Sequence, residues 1–307
     1  MKFYVLLKRN LSLFYKDKML FFVSLITPLI LILLYATFLI NVYRSTFLEA
    51  LPSQVVIDKT LVEGLIGGQM MSSLLAVIPI TTAFTSSTLI VRDKTNKAID
   101  DISMTPTSKV TIILSYFSTT FINTLLTCFV AMIGCFVYIA IVGWYIKFTT
   151  ILLLLLGIIV MTLFGSLFSS IINYFLSTEQ QVAAISTIVS SCYGFICGAY
   201  MPLSQFPIGL QKFIKFLPGT YGTSYLRYVS TIDTINALQE ATGMGDDIVQ
   251  NILLSIDGRI EFGETFIPYY WCLLIVFLIT ALLLIIYCTI VYLGKNNHKK
   301  IIFSKKS

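Results

Sequence analysis

A charged segment at Arg92–Lys109 (RDKTNKAIDDISMTPTSK) holds the side chains best suited to ionic contact with a partner protein. It carries four basic and three acidic residues, whereas the flanking runs 65–91 and 110–142 carry no charge. Each flanking run is long enough to cross a hydrocarbon core of ~30 Å. The segment is therefore predicted to be a loop at a membrane surface, and its basic residues indicate the cytoplasmic side.

A short helix is predicted inside this segment. Residues Asn96–Ser103 place Ile99 and Ile102 three positions apart on one side, and the pair Thr105-Pro106 would end the helix. A short helix held at the cytoplasmic face can pass force from a soluble partner to the adjoining spans. An ordinary solvated loop is the alternative.

No catalytic motif accompanies this segment. The sequence has no GxxxxGKS/T phosphate loop, no HExxH zinc motif and no GxSxG nucleophile motif. The six cysteines lie in apolar runs without CxxC spacing, the one histidine is His298 in a basic stretch, and Asp246-Asp247 lacks EF-hand spacing. The sequence therefore predicts a chain that is not itself an enzyme and that binds no metal or cofactor.

The composition is that of an integral membrane protein. Of 307 residues, 57% are hydrophobic and only 12% are charged, against roughly a quarter charged in soluble domains. The net charge of +6 does not indicate a nucleic-acid partner, because the basic residues lie at the ends of apolar runs. No run contains a charged residue, which argues against an ion channel or a proton-coupled carrier.

The apolar runs predict an all-α membrane protein with six transmembrane helices. The predicted spans are residues 19–40, 65–91, 110–142, 149–172, 182–199 and 266–293. Residues 1–18, 92–109, 173–181 and 294–307, with 14 basic and five acidic residues, are placed in the cytoplasm with both termini. The remaining loops carry seven basic and ten acidic residues and are placed outside.

Two further segments are predicted to lie in the membrane interface. Residues 1–18 are basic but place Phe3, Leu7, Leu11 and Phe14 on one helical face, which predicts an interfacial helix; a plain charged anchor is the alternative. Within 200–227, Pro207 and Pro218 leave room for a helix of about ten residues, or about 15 Å, which is half a crossing. That segment is predicted to be an external re-entrant half-helix, or else an external amphipathic helix, followed by an external loop at 228–265.

The second and fifth predicted spans carry small and hydroxyl side chains. The second has Pro79 near its middle and several serines and threonines. The fifth has Thr187, Ser191, Gly194 and Gly198 at spacings of four, three and four. Such faces must contact protein or water, so they line a pathway or pack helices closely.

Three motifs together resemble the membrane subunit of an ABC-2 type exporter, over nearly the whole chain. The first is the amphipathic segment 1–18, which is similar to the family's interfacial helix. The second runs from Asp93 through Thr105-Pro106-Thr107-Ser108 and resembles the coupling helix. The third runs from Met201-Pro202 through Leu217-Pro218-Gly219-Thr220-Tyr221 and resembles the re-entrant signature. The sequence departs from the pattern at Asn96, where many members carry Gly, and at Lys94, where an acidic residue is common.

The resemblance implies the type V exporter fold and a bacterial plasma-membrane complex of two such subunits with two copies of a separate ATPase. No cofactor is expected on this chain, since ATP and Mg²⁺ would bind to the ATPase. The implied ATPase-coupling residues are Arg92, Asp93, Lys94, Asn96, Lys97, Ile99, Asp100, Ile102, Thr105, Pro106 and Glu179. The implied re-entrant motif is Pro202, Pro207, Phe213, Pro218, Gly219 and Tyr221.

An uncharged, loosely polar path suits an amphipathic or lipid-like cargo such as a drug, toxin or haemolysin. The residues placed near this path are Met70, Met71, Phe84, Thr187, Ser191, Tyr193, Gly194 and Tyr200. Membrane lipids are expected around the subunit. Export of a lipid-linked polysaccharide or teichoic acid is an alternative, and so is a membrane enzyme or sensor without an ATPase partner.

Overall fold

The structure is a computed structural model that describes residues 2–18, 58–262 and 265–304, together with isolated positions between 22 and 44. Side chains are described as far as residue 293. The predicted first span at 19–40, most of the loop after it and the last three residues lie outside the described part. In that part the protein is helical apart from one small hairpin.

The helices are α1 (Lys2–Lys16), α2 (Lys59–Thr95), α3 (Ala98–Met104), α4 (Lys109–Val142), α5 (Phe148–Phe175), α6 (Glu179–Ile196), α7 (Ile208–Ile214), α8 (Pro218–Thr242), α9 (Asp246–Ser255) and α10 (Tyr269–Ser304). Strands β1 (Ile260–Phe262) and β2 (Thr265–Ile267) pair antiparallel, with Ile260 opposite Ile267.

Four helices in the described part are long and apolar enough to span a membrane: α2, α4, α5 and α10. Helix α6 is not among them, because it has only 18 residues and begins with the polar run Glu-Gln-Gln. The fold is therefore an all-α membrane fold, and the count of six spans remains a prediction.

Helix α2 is the centre of the fold. Its most apolar stretch is 89% buried inside the protein, whereas the corresponding stretches of α4 and α10 are 22% buried. It packs against α4, α5, α6 and α8, as expected for a helix that is apolar on every side. Gly165 of α5 allows a close approach at the proline, because a Cβ there would lie 2.5 Å from the Pro79 carbonyl oxygen.

The hydroxyl groups of α2 serve helix packing. Thr85 donates to the Thr81 carbonyl at 3.1 Å, one turn back. Asn123 of α4 donates to Ser86 at 3.0 Å, and Asn173 of α5 donates to Ser87 at 2.5 Å. The two serines and the two asparagines are buried between helices, so of the two explanations for this face the structure supports close packing.

Residues 228–242 are not a loop, and here the prediction is wrong. Helix α8 begins at Pro218, a position where the missing N–H costs nothing, and continues to Thr242. Its hydroxyls bond to its own carbonyls, as Thr231 does to Arg227 at 2.7 Å. Polar side chains therefore fill the helix without breaking it, although the excess of acidic residues after position 228 had indicated an external loop.

The first half of α8 lies deep among the long helices. A Cβ at Gly222 would lie 2.2 Å from the sulfur of Met161, halfway along α5, and a Cβ at Gly68 of α2 would lie 2.5 Å from the Ser230 carbonyl. The helix ends at Gly243, whose φ of +67° is the left-handed conformation common after a helix. Residues from α2, α8 and α9 then form a separate apolar cluster at this end.

Candidate functional site

The charged segment is divided between helix ends and one short helix. Arg92–Thr95 is the last turn of α2, Asn96 and Lys97 form a turn, and α3 follows. Helix α3 is thus the helix predicted at 96–103, starting two residues later. Ser108 caps α4 by accepting a hydrogen bond from the Thr111 amide at 3.1 Å.

Two of the predicted contact residues, Arg92 and Asp93, form ion pairs within the protein. Arg92 pairs with Asp17 at 2.5 Å. Asp93 is buried, pairs with Arg9 at 2.8 Å and accepts a hydrogen bond from the Tyr116 hydroxyl at 2.5 Å. Burial therefore removes Asp93 from the surface on which a partner could bind, whereas the Arg92 side chain is engaged by Asp17 but stays 43% exposed.

Lys94 has a similar internal role at the end of α5. Its ammonium donates to the carbonyl oxygens of Tyr174 at 2.7 Å and of Asn173 and Leu176 at 3.3 Å. A cation at a helix C-terminus satisfies carbonyls that have no helical partner. An acidic residue could not make these contacts, which explains why this chain has lysine at this position.

Helix α1 is attached to the same corner of the protein. Arg9 and the buried Asn10 reach α2 and α4, since Asn10 donates to Ser115 at 3.3 Å. Burial lowers the pKa of Arg9, the Asp93 carboxylate raises it, and the balance lies above the ordinary value, so Arg9 is charged. Lys2 adds a hydrogen bond to the Pro106 carbonyl. Helix α1 therefore contacts both ends of the charged segment.

The outer side of α3 is the exposed part of the segment. No residue of α3 is buried, and Met104 is 84% exposed. Ile99 and Ile102 face inward and pack against a cluster from α2, α4 and α6. The exposed side chains between residues 96 and 106 are Asn96, Lys97, Asp100, Asp101, Ser103, Met104, Thr105 and Pro106.

The second predicted contact point, Glu179, lies at the same end. The loop before it contacts α2 through Lys94 and through Thr95, which donates to the Ser177 carbonyl at 3.4 Å. Thr178 and Gln181 form a reciprocal capping box at the start of α6. The structure thus brings α3 and the exposed Glu179 to one surface.

The residues predicted to lie near a transport path occupy different environments in the structure. Met71 and Phe84 are fully buried and Met70 is 9% exposed, all in the protein core, so they line no accessible surface of the single chain, and their place near a transport path stays a prediction. The Tyr200 ring fills the space at Gly194, where a Cβ would lie 2.1 Å from a ring atom. The burial of the α2 residues and the Tyr200–Gly194 contact both depend on apolar packing between helices of the chain. That packing cannot be read from the sequence alone.

The small-residue face of α6 remains partly open. Thr187 and Ser191 are exposed and bond back to their own helix, at 2.8 Å to the Ala183 carbonyl and at 2.7 Å to the Thr187 carbonyl. Tyr193 instead lies against Gly219, where a Cβ would be 2.7 Å from its hydroxyl oxygen.

The re-entrant motif starts and joins the helices of its segment. Pro207 precedes α7, Pro218 is the first residue of α8, and Pro202 precedes a single 3-10 turn at Leu203–Gln205. Tyr221 is buried in the core, whereas Phe213 is 58% exposed. The motif therefore fixes the course of the chain and leaves one aromatic side chain on the surface.

Sequence reasoning missed a buried ion pair next to this motif. Arg227 is fully buried, pairs with Asp257 at 2.9 Å and donates to the Gly198 carbonyl at 2.6 Å. The Leu203 amide also donates to Asp257, at 2.8 Å. An arginine within a helix with buried neighbours is the available signal, but its partner is 30 residues away in the sequence.

The comparison with protein families decides what kind of protein carries this arrangement. The family model described as ABC-2 type transporter matches residues 1–230, from α1 through the charged segment into α8. The chain belongs to the ABC-2 type transporter family. It is therefore the transmembrane component of an ABC transporter, a multi-pass membrane protein of a generally non-catalytic kind, and the family implies an ABC ATPase subunit as its partner. No curated protein matches the chain.

Proposed function

We propose that the chain is the membrane subunit of an exporter and that the outer side of α3 contacts the ATPase. The observation that carries this proposal is the arrangement of α3, which exposes Met104 while Ile99 and Ile102 anchor it to the protein. An exposed apolar side chain among charged neighbours is typical of a residue that anchors an interface. Glu179 provides a second, smaller contact.

Force applied to α3 would reach several helices at once. A two-residue turn joins α3 to α2, the four residues before α4 join it to that helix, and the Arg9–Asp93 pair joins α1 to the same corner. Helix α2 has 37 residues, so it is about 55 Å long at 1.5 Å per residue. A helix of this length transmits a displacement at one end through the whole core that packs around it.

The open face of α6 supports pairing with a second copy and passage of an amphipathic or lipid-like cargo. It exposes the hydroxyl residues Thr187 and Ser191 beside the apolar Ile188 and Phe195, which are 61% and 49% exposed. A surface with hydroxyls and apolar groups but no charge suits a cargo that has both properties. Two ATPase copies, which bind ATP and Mg²⁺, complete the proposed complex.

The distribution of charge supports insertion in the plasma membrane with both termini in the cytoplasm. The surfaces assigned to the cytoplasm carry 14 basic and five acidic residues. Short cytoplasmic loops collect lysine and arginine. The α3 surface is then on the side where ATP is available.

Co-purification tests this function. The tagged chain is isolated in mild detergent, the soluble ATPase that accompanies it is identified, and the isolation is repeated with Met104→Glu. Loss of a central anchor residue is expected to lower ATPase retention at least about tenfold.

Phe216→Glu is the matched control, since Phe216 is 74% exposed and belongs to the external segment of the proposed topology. It should retain the ATPase fully. Equal retention by both variants would reject the α3 contact, and a chain that isolates with no ATPase under any condition would reject the exporter.

A further inference from the structure

A cavity of about 380 Å³ lies behind α3, where α2, α3, α4, α5 and α10 meet. Its polar wall includes Lys94, Lys109 and Asp100, and its apolar wall includes Ile113 and Val291. This volume is within the usual range of ligand sites, about 300–1,000 Å³. The proposed ATPase contact rests on Met104, which does not line the cavity, and leaves the cavity unassigned.

The cavity is cationic and contains donors that no group in the described part of the chain uses. Lys94 and Lys109 face a single carboxylate, Asp100. Lys94 is held by the α5 carbonyls and supplies charge. Among the described residues, the Lys109 ammonium and the Tyr174 hydroxyl have no hydrogen-bond or ion-pair partner. These two groups can therefore donate to an anion that also gains from the charge of Lys94.

The apolar wall identifies the kind of anion. Ile113 belongs to α4 and Val291 to α10, and both helices are candidate membrane spans. Next to the cavity, α4 exposes Val110 and Leu114, at 41% and 45%. A small soluble anion would gain nothing from these surfaces, whereas acyl chains attached to a phosphate would cover them.

We propose that this cavity binds the phosphate headgroup of an anionic phospholipid whose acyl chains lie along α4 and α10. Basic pockets between helices at the cytoplasmic face are the usual place for such headgroups. The bound lipid connects α3 to α10 and so braces the helix that receives the ATPase. The proposal rests on the membrane orientation given above, and its lipid-binding step needs no ATPase.

Lipid retention by the purified protein tests the site directly. The chain is reconstituted in phosphatidylcholine nanodiscs with and without phosphatidylglycerol, and native mass spectrometry measures how strongly each lipid is retained. Wild type should prefer phosphatidylglycerol, and Lys109→Gln should lower that preference about fivefold, the usual effect of one basic residue near an anionic membrane.

Lys8→Gln is the matched control, because Lys8 is exposed on α1 at the same end of the protein and makes the same change in net charge. Because Lys8 contributes only to the general charge of the membrane-facing surface, this variant should lower the preference clearly less than Lys109→Gln does. Equal losses in the two variants, or no loss in Lys109→Gln, would overturn the site. Thermal stabilisation by inorganic phosphate in pure phosphatidylcholine, absent in Lys109→Gln, would assign the cavity to a free anion and overturn the lipid.

Discussion

The buried Arg227–Asp257 pair allows a quantitative test of the structure. Asp257→Ala leaves the Arg227 guanidinium, which has no exposed surface, without its carboxylate partner and removes the acceptor of the Leu203 amide. Removing one partner of a buried ion pair typically costs about 3–5 kcal/mol. We expect a loss of stability of that order, concentrated where the connection 197–203 meets α8.

The measurement is thermal unfolding in detergent. For a chain of this size, about 3–5 kcal/mol corresponds to a fall in Tm of the order of 10 °C. Asp247→Ala is the matched control, because Asp247 is exposed on α9, and it should change Tm by only a degree or two.

A double variant separates the cost of the unpaired buried charge from the cost of the lost hydrogen-bond acceptor. Arg227→Met with Asp257→Asn removes both charges but keeps an acceptor for the Leu203 amide. Replacing a buried ion pair by neutral groups of similar volume is often neutral. The double variant should therefore be more stable than Asp257→Ala. If Asp257→Ala behaves like Asp247→Ala, the pair is not buried as the structure has it, and the reasoning fails.

Three further predictions concern the charged corner and the core. Lys97 has a φ of +59°, a left-handed conformation that β-branched residues adopt only with strain. Lys97→Val should therefore destabilise the protein by more than about 1 kcal/mol in thermal unfolding, whereas Lys97→Gly should not. Equal Tm values for the two variants would contradict this. Asp93→Asn should weaken the attachment of α1 and speed proteolytic cleavage after Arg9; an unchanged cleavage rate would show that the Arg9 pair does not hold α1. Gly165→Ala should cost about 1–3 kcal/mol through overpacking, whereas Gly134→Ala, with open space around it, should cost nothing; equal stability would reject the close contact at Pro79.

The sequence predicted the large-scale organisation because apolar runs and charge placement depend on local composition. The uncharged runs around the charged segment correspond to α2 and α4. The short helix between them was also predictable, since Ile99 and Ile102 and the following Thr-Pro pair are local signals. Membership of the ABC-2 family is confirmed by the family model.

The roles of individual side chains could not be predicted in this way. Asp93 and Asp100 look alike in the sequence, but Asp93 is buried against Arg9 and Tyr116 while Asp100 is exposed. Their difference depends on contacts with residues far away in the chain. The same holds for Arg227, whose partner follows 30 residues later.

Helix α8 was missed for a different reason. Residues 228–264 carry seven acidic residues against one basic residue, which indicated an external loop, and the serines, threonines and glycines of this region are weak helix formers in isolation. In the structure Gly222 of α8 allows close contact with α5, Gly68 of α2 allows close contact with α8, and the hydroxyls of α8 bond within the helix. Tertiary packing therefore overrides local propensity at this helix.

Site-specific photo-crosslinking at position 104 tests the central claim most directly. A photoreactive amino acid replaces Met104, or Phe216 as the control, in cells that contain the complete transporter, and the crosslinked products are identified by mass spectrometry. The account predicts a strong crosslink to the ABC ATPase from position 104 and none from position 216. An ATPase crosslink from position 216 with none from position 104 would contradict both the coupling role of α3 and the proposed orientation.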